Sequence, residues 1–258
     1  MRVVPARNGW FWLVRGFLLY RMNPAMWTLL VFTYWILLAF LNLIPIAGPL
    51  IATLLLPAFS VSFMEMCREL EERRPIRPVL LLSGLRRRFP TLITLGGLYL
   101  LSIVMVLGIS TLADGGVLAN WIIYGDAPDA RALRDGSLSR ALFVAAIAGT
   151  PVVMAFWFAP VLSAWEGMNA VKALFFSFFA GWRNWRAFLV YGAVLSILGV
   201  AFSAAIVTAA VLLGGKTQVL RFGMIAAVLV SMPTLFGSFF AAYRDVFPRS
   251  PTGEAPAP

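Results

Sequence analysis

The chain has 258 residues, of which 61% are hydrophobic and only 12% charged, with a net charge of +10 and a mean hydropathy of +0.87. Soluble domains carry about 45–50% apolar and about 25% charged residues, so this composition excludes a water-soluble domain and describes a chain that crosses a membrane several times. Histidine is absent and Cys67 is the one cysteine, which removes the commonest general base, the commonest metal ligand and any intrachain disulfide.

Residues 9–20 set Trp10, Phe11, Leu13, Val14, Phe17 and Leu18 at helical spacing among Arg7, Arg15 and Arg21. The segment is too short for a hydrocarbon core of ~30 Å and reads as an amphipathic helix on the membrane surface. It lacks the unbroken apolar core of a removable signal peptide. Asn23-Pro24 opens a first span over 24–43, with Pro in the helical turn that tolerates it. Pro45 and Gly48-Pro49 make a short turn, and a second span returns over 50–70. Glu69 and Arg73, at i and i+4, are expected to prolong that helix into water until Pro75 ends it.

Residues 76–88 form a second amphipathic elbow, and a third span covers 90–112, where Gly96-Gly97 suggests a close helix approach. A polar, nearly neutral insertion follows over 114–140, with a short helix expected around 128–135. The fourth span covers 141–166 and carries Pro151 and Pro160, the usual cause of kinks. A third, aromatic elbow covers 168–182. The fifth span, 187–213, has Ala201, Ala205 and Ala209 at i, i+4, i+8, a seam on which another helix could pack. Gly214-Gly215-Lys216 turns the chain into a sixth span over 219–243. By composition residues 246–258 are a disordered tail.

The expected fold is therefore all-α. One integral membrane domain over 1–245 contains six transmembrane helices as three hairpins, each preceded by an amphipathic interfacial helix. The long apolar runs do not alternate in polarity as barrel strands would. Sixteen of the 21 Lys and Arg fall on the elbow side and five on the other, which places both termini in the cytoplasm by the positive-inside rule. The same pattern explains the net charge without nucleic acid. Trp10, Trp12, Trp27, Trp182 and Trp185 are expected in the interfacial aromatic belt.

Three helix ends align without gaps: Ser62-Phe-Met-Glu65-Met-Cys-Arg68-Glu69, Ser163-Ala-Trp-Glu166-Gly-Met-Asn169-Ala170 and Ser238-Phe-Phe-Ala241-Ala-Tyr-Arg244-Asp245. Basic residues stand before each inbound span, at Arg21, Arg86-Arg-Arg88 and Arg183–Arg186. The repeated unit is elbow, inbound span, loop, outbound span, three times over. Three such hairpins around one axis can bury polar and small-residue faces that one alone cannot.

With the opening VVPARNGWFWLVRGF, the Asn23-Pro24…Trp27 start and the Pro57–Arg68 helix end in view, the chain resembles an uncharacterised family of betaproteobacterial inner-membrane proteins known only as transmembrane. It is more loosely similar to YciC-like proteins and to the membrane domain fused to some glycerophosphodiester phosphodiesterases. The resemblance implies a six-helix, multi-pass protein of the bacterial inner membrane and carries over no catalytic residue.

Ionisable groups inside spans are functional candidates by default. Glu65 and Glu166, with Ser62 and Ser163, form one candidate polar site. The plain structural alternative pairs Glu65 with Arg68 and Glu166 with a basic residue of a neighbouring elbow. Arg73, Arg74, Arg77, Arg86, Arg87, Arg88, Arg183 and Arg186 are candidates for anionic lipid headgroups, membrane lipids being the expected partners. Phosphate-loop, Rossmann, metalloprotease and Gly-x-Ser-x-Gly patterns are absent, so no catalysis, cofactor or metal is expected. The leading expectation is a non-enzymatic membrane protein that interacts with lipid or acts as a scaffold through its basic elbows. The alternative is a small transporter or channel with a cytoplasm-facing cavity around Glu65 and Glu166, since broken helices often line such sites.

Overall fold

The computed structural model describes residues 1–125, 127–128, 132, 134–214 and 217–248. Every regular element among them is helical. The chain runs α1 (Asn8–Met22), α2 (Pro24–Asn42), α3 (Ala47–Glu71), a 3-10 turn (Pro78–Leu82), α4 (Ser83–Arg86), α5 (Phe89–Asp114) and α6 (Val117–Tyr124). Then come α7 (Ser137–Trp157), α8 (Ala159–Glu166), α9 (Ala170–Arg183), α10 (Trp185–Leu212) and α11 (Thr217–Val246). Six segments are long and apolar enough to cross a membrane: Pro24–Asn42, Ala47–Glu71, Phe89–Asp114, Ser137–Glu166, Trp185–Leu212 and Thr217–Val246. The protein is an all-α polytopic membrane protein.

Each boundary has a local cause. Asn23 accepts the Met26 N–H at 3.2 Å and caps α2. At the end of α3, Arg73 takes a positive φ of 55°. The Arg74 N–H then reaches back to the Glu69 carbonyl at 2.8 Å, a Schellman closure with arginine where glycine is usual. The chain therefore turns before Arg73 can meet Glu69, and it is Arg74 that pairs with Glu69, at 2.9 Å. This replaces the expected i, i+4 pair. The insertion starts differently from expectation as well. Asp114 accepts the N–H groups of Gly116 and Leu118 at 2.8 and 2.6 Å, which launches a helix over Val117–Tyr124. The short helix expected around 128–135 lies largely outside the described residues, as do Gly215-Lys216 and the tail from 249 onwards.

The fourth crossing begins at Ser137, four residues earlier than expected, and is interrupted at Phe158. Pro151 stays inside α7. The break comes from outside the helix: the Ser177 hydroxyl of α9 accepts the Phe158 N–H and donates to the Met154 carbonyl, both at 2.8 Å. A side chain inserted into the i→i−4 ladder is a recognised cause of kinking, and Pro160, lacking an N–H, weakens the same turn.

The core lies at the end of the bundle where the elbows meet the outbound spans. Trp27, Tyr34, Phe59, Phe63 and Phe236 pack there, with Phe63 and Phe236 stacked at 4.2 Å. Trp12 and Trp27, expected at the interface, are buried instead, while Trp10, Trp182 and Trp185 are exposed. Trp12 faces Phe188 and Tyr191, and Trp27 faces Phe63. Gly96 meets the α3 backbone as expected: a Cβ there would lie 2.2 Å from the Leu54 carbonyl oxygen. The alanine seam does not pack, since Ala201 and Ala205 are exposed.

Candidate functional site

The elbows dock in a cyclic order. Each sits on the outbound span of the unit before it, and the first elbow closes the circle on the last span. Gly84 of α4 presses against α3, where a Cβ would lie 1.8 Å from the Ala58 carbonyl oxygen, and its N–H donates to Ser62 Oγ at 2.9 Å. Gly16 of α1 presses in the same way against α11, where a Cβ would lie 2.3 Å from the Thr234 carbonyl oxygen. Ala58 and Thr234 each lie four residues before the aligned serines, Ser62 and Ser238. Ser238 Oγ meets the Tyr191 hydroxyl at 2.8 Å and donates to the Leu235 carbonyl. The third elbow docks about one turn farther up, through Ser177, so the third aligned serine, Ser163, is buried with no hydrogen-bond partner among the described residues. Such an orphaned hydroxyl costs roughly 1–3 kcal/mol.

The ends of the outbound spans are joined in the same sense. Glu65 of α3 is buried and accepts the Trp165 indole N–H of α8 at 2.7 Å and Arg87 Nε at 3.3 Å. Arg68 does not reach Glu65: it pairs with Glu72 at 3.2 Å and lies over the Trp165 ring at 5.5 Å. Glu166 is exposed and accepts the Tyr243 hydroxyl of α11 at 2.9 Å rather than a basic elbow residue. The circle closes where Arg244 of α11 pairs with Glu71 of α3 at 3.2 Å. Glu65 and Glu166 thus occupy equivalent positions, each taking an aromatic donor from the next outbound span, while Ala241 stands at the third position.

A second polar centre lies where the two ends of the chain meet. Asp245 is buried and accepts from Arg2, from Asn8 Nδ2 at 2.6 Å and from the Trp12 indole at 3.0 Å. Asn184, equivalent to the α2 cap Asn23, accepts the Val4 N–H at 2.8 Å and donates to the carbonyls of Arg2 and Ala180. The Arg2 N–H reaches the Val246 carbonyl at 2.8 Å. Residues 2–4 thus clasp the elbow end shut. Sequence reasoning missed both residues. The available signals were an acid, Asp245, aligned with Glu69 at the end of an outbound span, and an asparagine, Asn184, at the start of an inbound helix as Asn23 is.

The eight candidate arginines divide into two groups. Arg74 pairs with Glu69 and Glu72, Arg87 pairs with Glu65, and Arg88 donates to the Gly167 carbonyl at 2.5 Å. Arg73, Arg77, Arg86, Arg183 and Arg186 are exposed and make no ion pair among the described residues. Two openings stand out. One is an apolar groove of about 650 Å³ between α7, α9 and α10; the other is a pocket of about 220 Å³ between α1, α3 and α11. Neither is lined by Glu65 or Glu166. No group of three or more potential metal ligands occurs among the described residues.

Six apolar crossings closed at one end by polar clasps define a class: a helical multi-pass membrane protein with a basic-rimmed elbow end. A protein of Burkholderia thailandensis, named a probable inner membrane protein, is 38% identical over 255 residues covering 95% of this chain and 92% of that one. The chain belongs to that inner-membrane family. No family model matches it, and no solved structure matches it.

Proposed function

We propose that this is a non-enzymatic protein of the bacterial inner membrane, a single integral domain over 1–245 with both termini in the cytoplasm, whose elbow end gathers anionic lipid. The observation that carries the reading is the division among the arginines. Three are engaged within the protein, whereas five, in or beside the elbows, are exposed with no ion pair among the described residues. Basic residues near an anionic leaflet contribute about 1 kcal/mol each. A transporter would need a polar cavity at the glutamates, and neither opening reaches them. The looser likeness to YciC-like proteins and to the phosphodiesterase membrane domain belongs to the same proposal and predicts that those proteins share the cyclic order of elbows.

The test is thermal unfolding of the purified protein with added cardiolipin. Wild type is expected to gain stability, and a variant with Arg73, Arg77, Arg86, Arg183 and Arg186 all changed to Gln is expected to gain none. An equal gain in both would contradict the proposal.

A further inference from the structure

The groove between α7, α9 and α10 has the dimensions and chemistry of a binding site for hydrocarbon. Its volume of about 650 Å³ falls within the range of roughly 300–1,000 Å³ typical of ligand pockets. Along α10 it runs from Trp185 to Leu195, ten residues, or about 15 Å at the helical rise. That is half of a ~30 Å hydrocarbon core, the depth of one leaflet. The rims at Val153 and Leu189 are exposed, so the groove opens sideways towards lipid. Two of its polar groups are already used: Thr150 Oγ1 donates to the Ala146 carbonyl at 2.7 Å, and the Tyr191 hydroxyl is held by Ser238, while the Trp157 indole N–H, also in the lining, is buried without a partner among the described residues. That single indole donor is little for a polar substrate, and the rest of the lining suits an acyl chain.

The mouth has the opposite character. Arg183 and Arg186 flank Trp185 at the elbow end, both exposed and without an ion pair among the described residues, and Arg186 lies 5.5 Å from the Trp185 ring centroid. We infer that this groove holds one acyl chain of an anionic phospholipid, with its phosphate at Arg183 and Arg186. The inference rests on the reading that anionic lipid gathers at the elbow end, and it adds a defined site of one lipid where that reading requires only a charged rim.

The floor of the groove supplies the test. Gly149 and Gly192 line it, and a Cβ at either would meet nothing within 4 Å. Leucines there extend into the groove from a Cβ that meets no neighbour, and leucine outranks glycine as a helix former. Full-length protein extracted in mild detergent from membranes containing phosphatidylglycerol and phosphatidylethanolamine is examined by native mass spectrometry. Wild type is expected to retain one phosphatidylglycerol. The G149L/G192L double variant should lose at least about 80% of it, whereas the control Gly108→Leu, also in open space, should keep it. Arg183→Gln with Arg186→Gln should abolish the preference for phosphatidylglycerol over phosphatidylethanolamine.

Unchanged phosphatidylglycerol in G149L/G192L would overturn the groove site, and the rim reading would survive if the five-arginine variant still lost its cardiolipin response. A wild type with no anionic preference at all would remove both. A wild-type dimer that dissociates in G149L/G192L would also overturn the inference, by assigning the groove to a second copy of the chain.

Discussion

The elbow end of α3 and the far half of α10 are both apolar helix, yet the structure treats them oppositely. In α3, 56% of the most apolar 18-residue stretch is buried within the protein; in α10 the figure is 6%. Residues 61–67 of α3 are all buried, while Leu198, Val200, Phe202 and Val207 of α10 face outward. Hydrophobicity cannot explain this difference, because lipid tails welcome both. What α3 has is Gly84 docked on its backbone, Ser62 receiving that glycine's N–H, and Glu65 receiving an indole. Close backbone approach and satisfied polar groups hold helices together in a membrane, and these are concentrated at the elbow end.

The sharpest way to break this comparison is the same substitution in both regions. Gly16→Ala drives a methyl into the Thr234 carbonyl, whereas Gly199→Ala adds it where no atom lies within 4 Å. Overpacking against backbone is expected to cost about 3 kcal/mol, lowering Tm by roughly 6–12 °C for a chain of this size. Gly199→Ala should leave Tm unchanged or slightly raised, as alanine is the better helix former. Equal shifts in thermal unfolding would erase the distinction.

Next in size is Asp245→Ala, which leaves the buried Trp12 indole and Asn8 without their acceptor. Breaking a buried charge pair costs roughly 3–5 kcal/mol, and because Arg2 is half exposed a loss of ~3 kcal/mol is expected. Limited proteolysis should show the first turn of α1 opening. Ser177→Ala removes the hydroxyl that interrupts the α7–α8 helix and should cost roughly 1–3 kcal/mol. Phe158 N–H can then bond the Met154 carbonyl directly, so a spin-label pair across the break should report straightening. At the other extreme, Ala201→Leu with Ala205→Leu on exposed α10 should stay within about ±0.5 kcal/mol, measured by the same unfolding assay.

Sequence reasoning reached the six crossings and the short helices α1 and α9 because length, apolarity and flanking charge are local properties, whereas the second elbow, read as one helix over 76–88, folds as a 3-10 turn and the four-residue α4. The serine–glutamate alignment was legible for the same reason. Its meaning was not, since the partners of Glu65 and Glu166 come from Trp165 and Tyr243, 100 and 77 residues away. Trp12 and Trp27 could not be told from belt tryptophans, because an amphipathic ring suits either a core or an interface. Asp245 gained its role only from residues at the opposite end of the chain. The alanine seam misled because small residues permit a helix contact without requiring one.

Central to the account is the closing of the circle, with α1 docked on α11 of the last unit. It is tested most directly by cysteine cross-linking in native membranes, after Cys67→Ala removes the natural thiol. Phe17→Cys sits next to Gly16 and Leu235→Cys next to Thr234, whose carbonyl Gly16 meets on α11, so a short bifunctional maleimide should join them in high yield, while Val79→Cys with Leu235→Cys should stay unlinked. Linking of Val79 but not Phe17, or neither, would mean that the elbows do not follow the cyclic order.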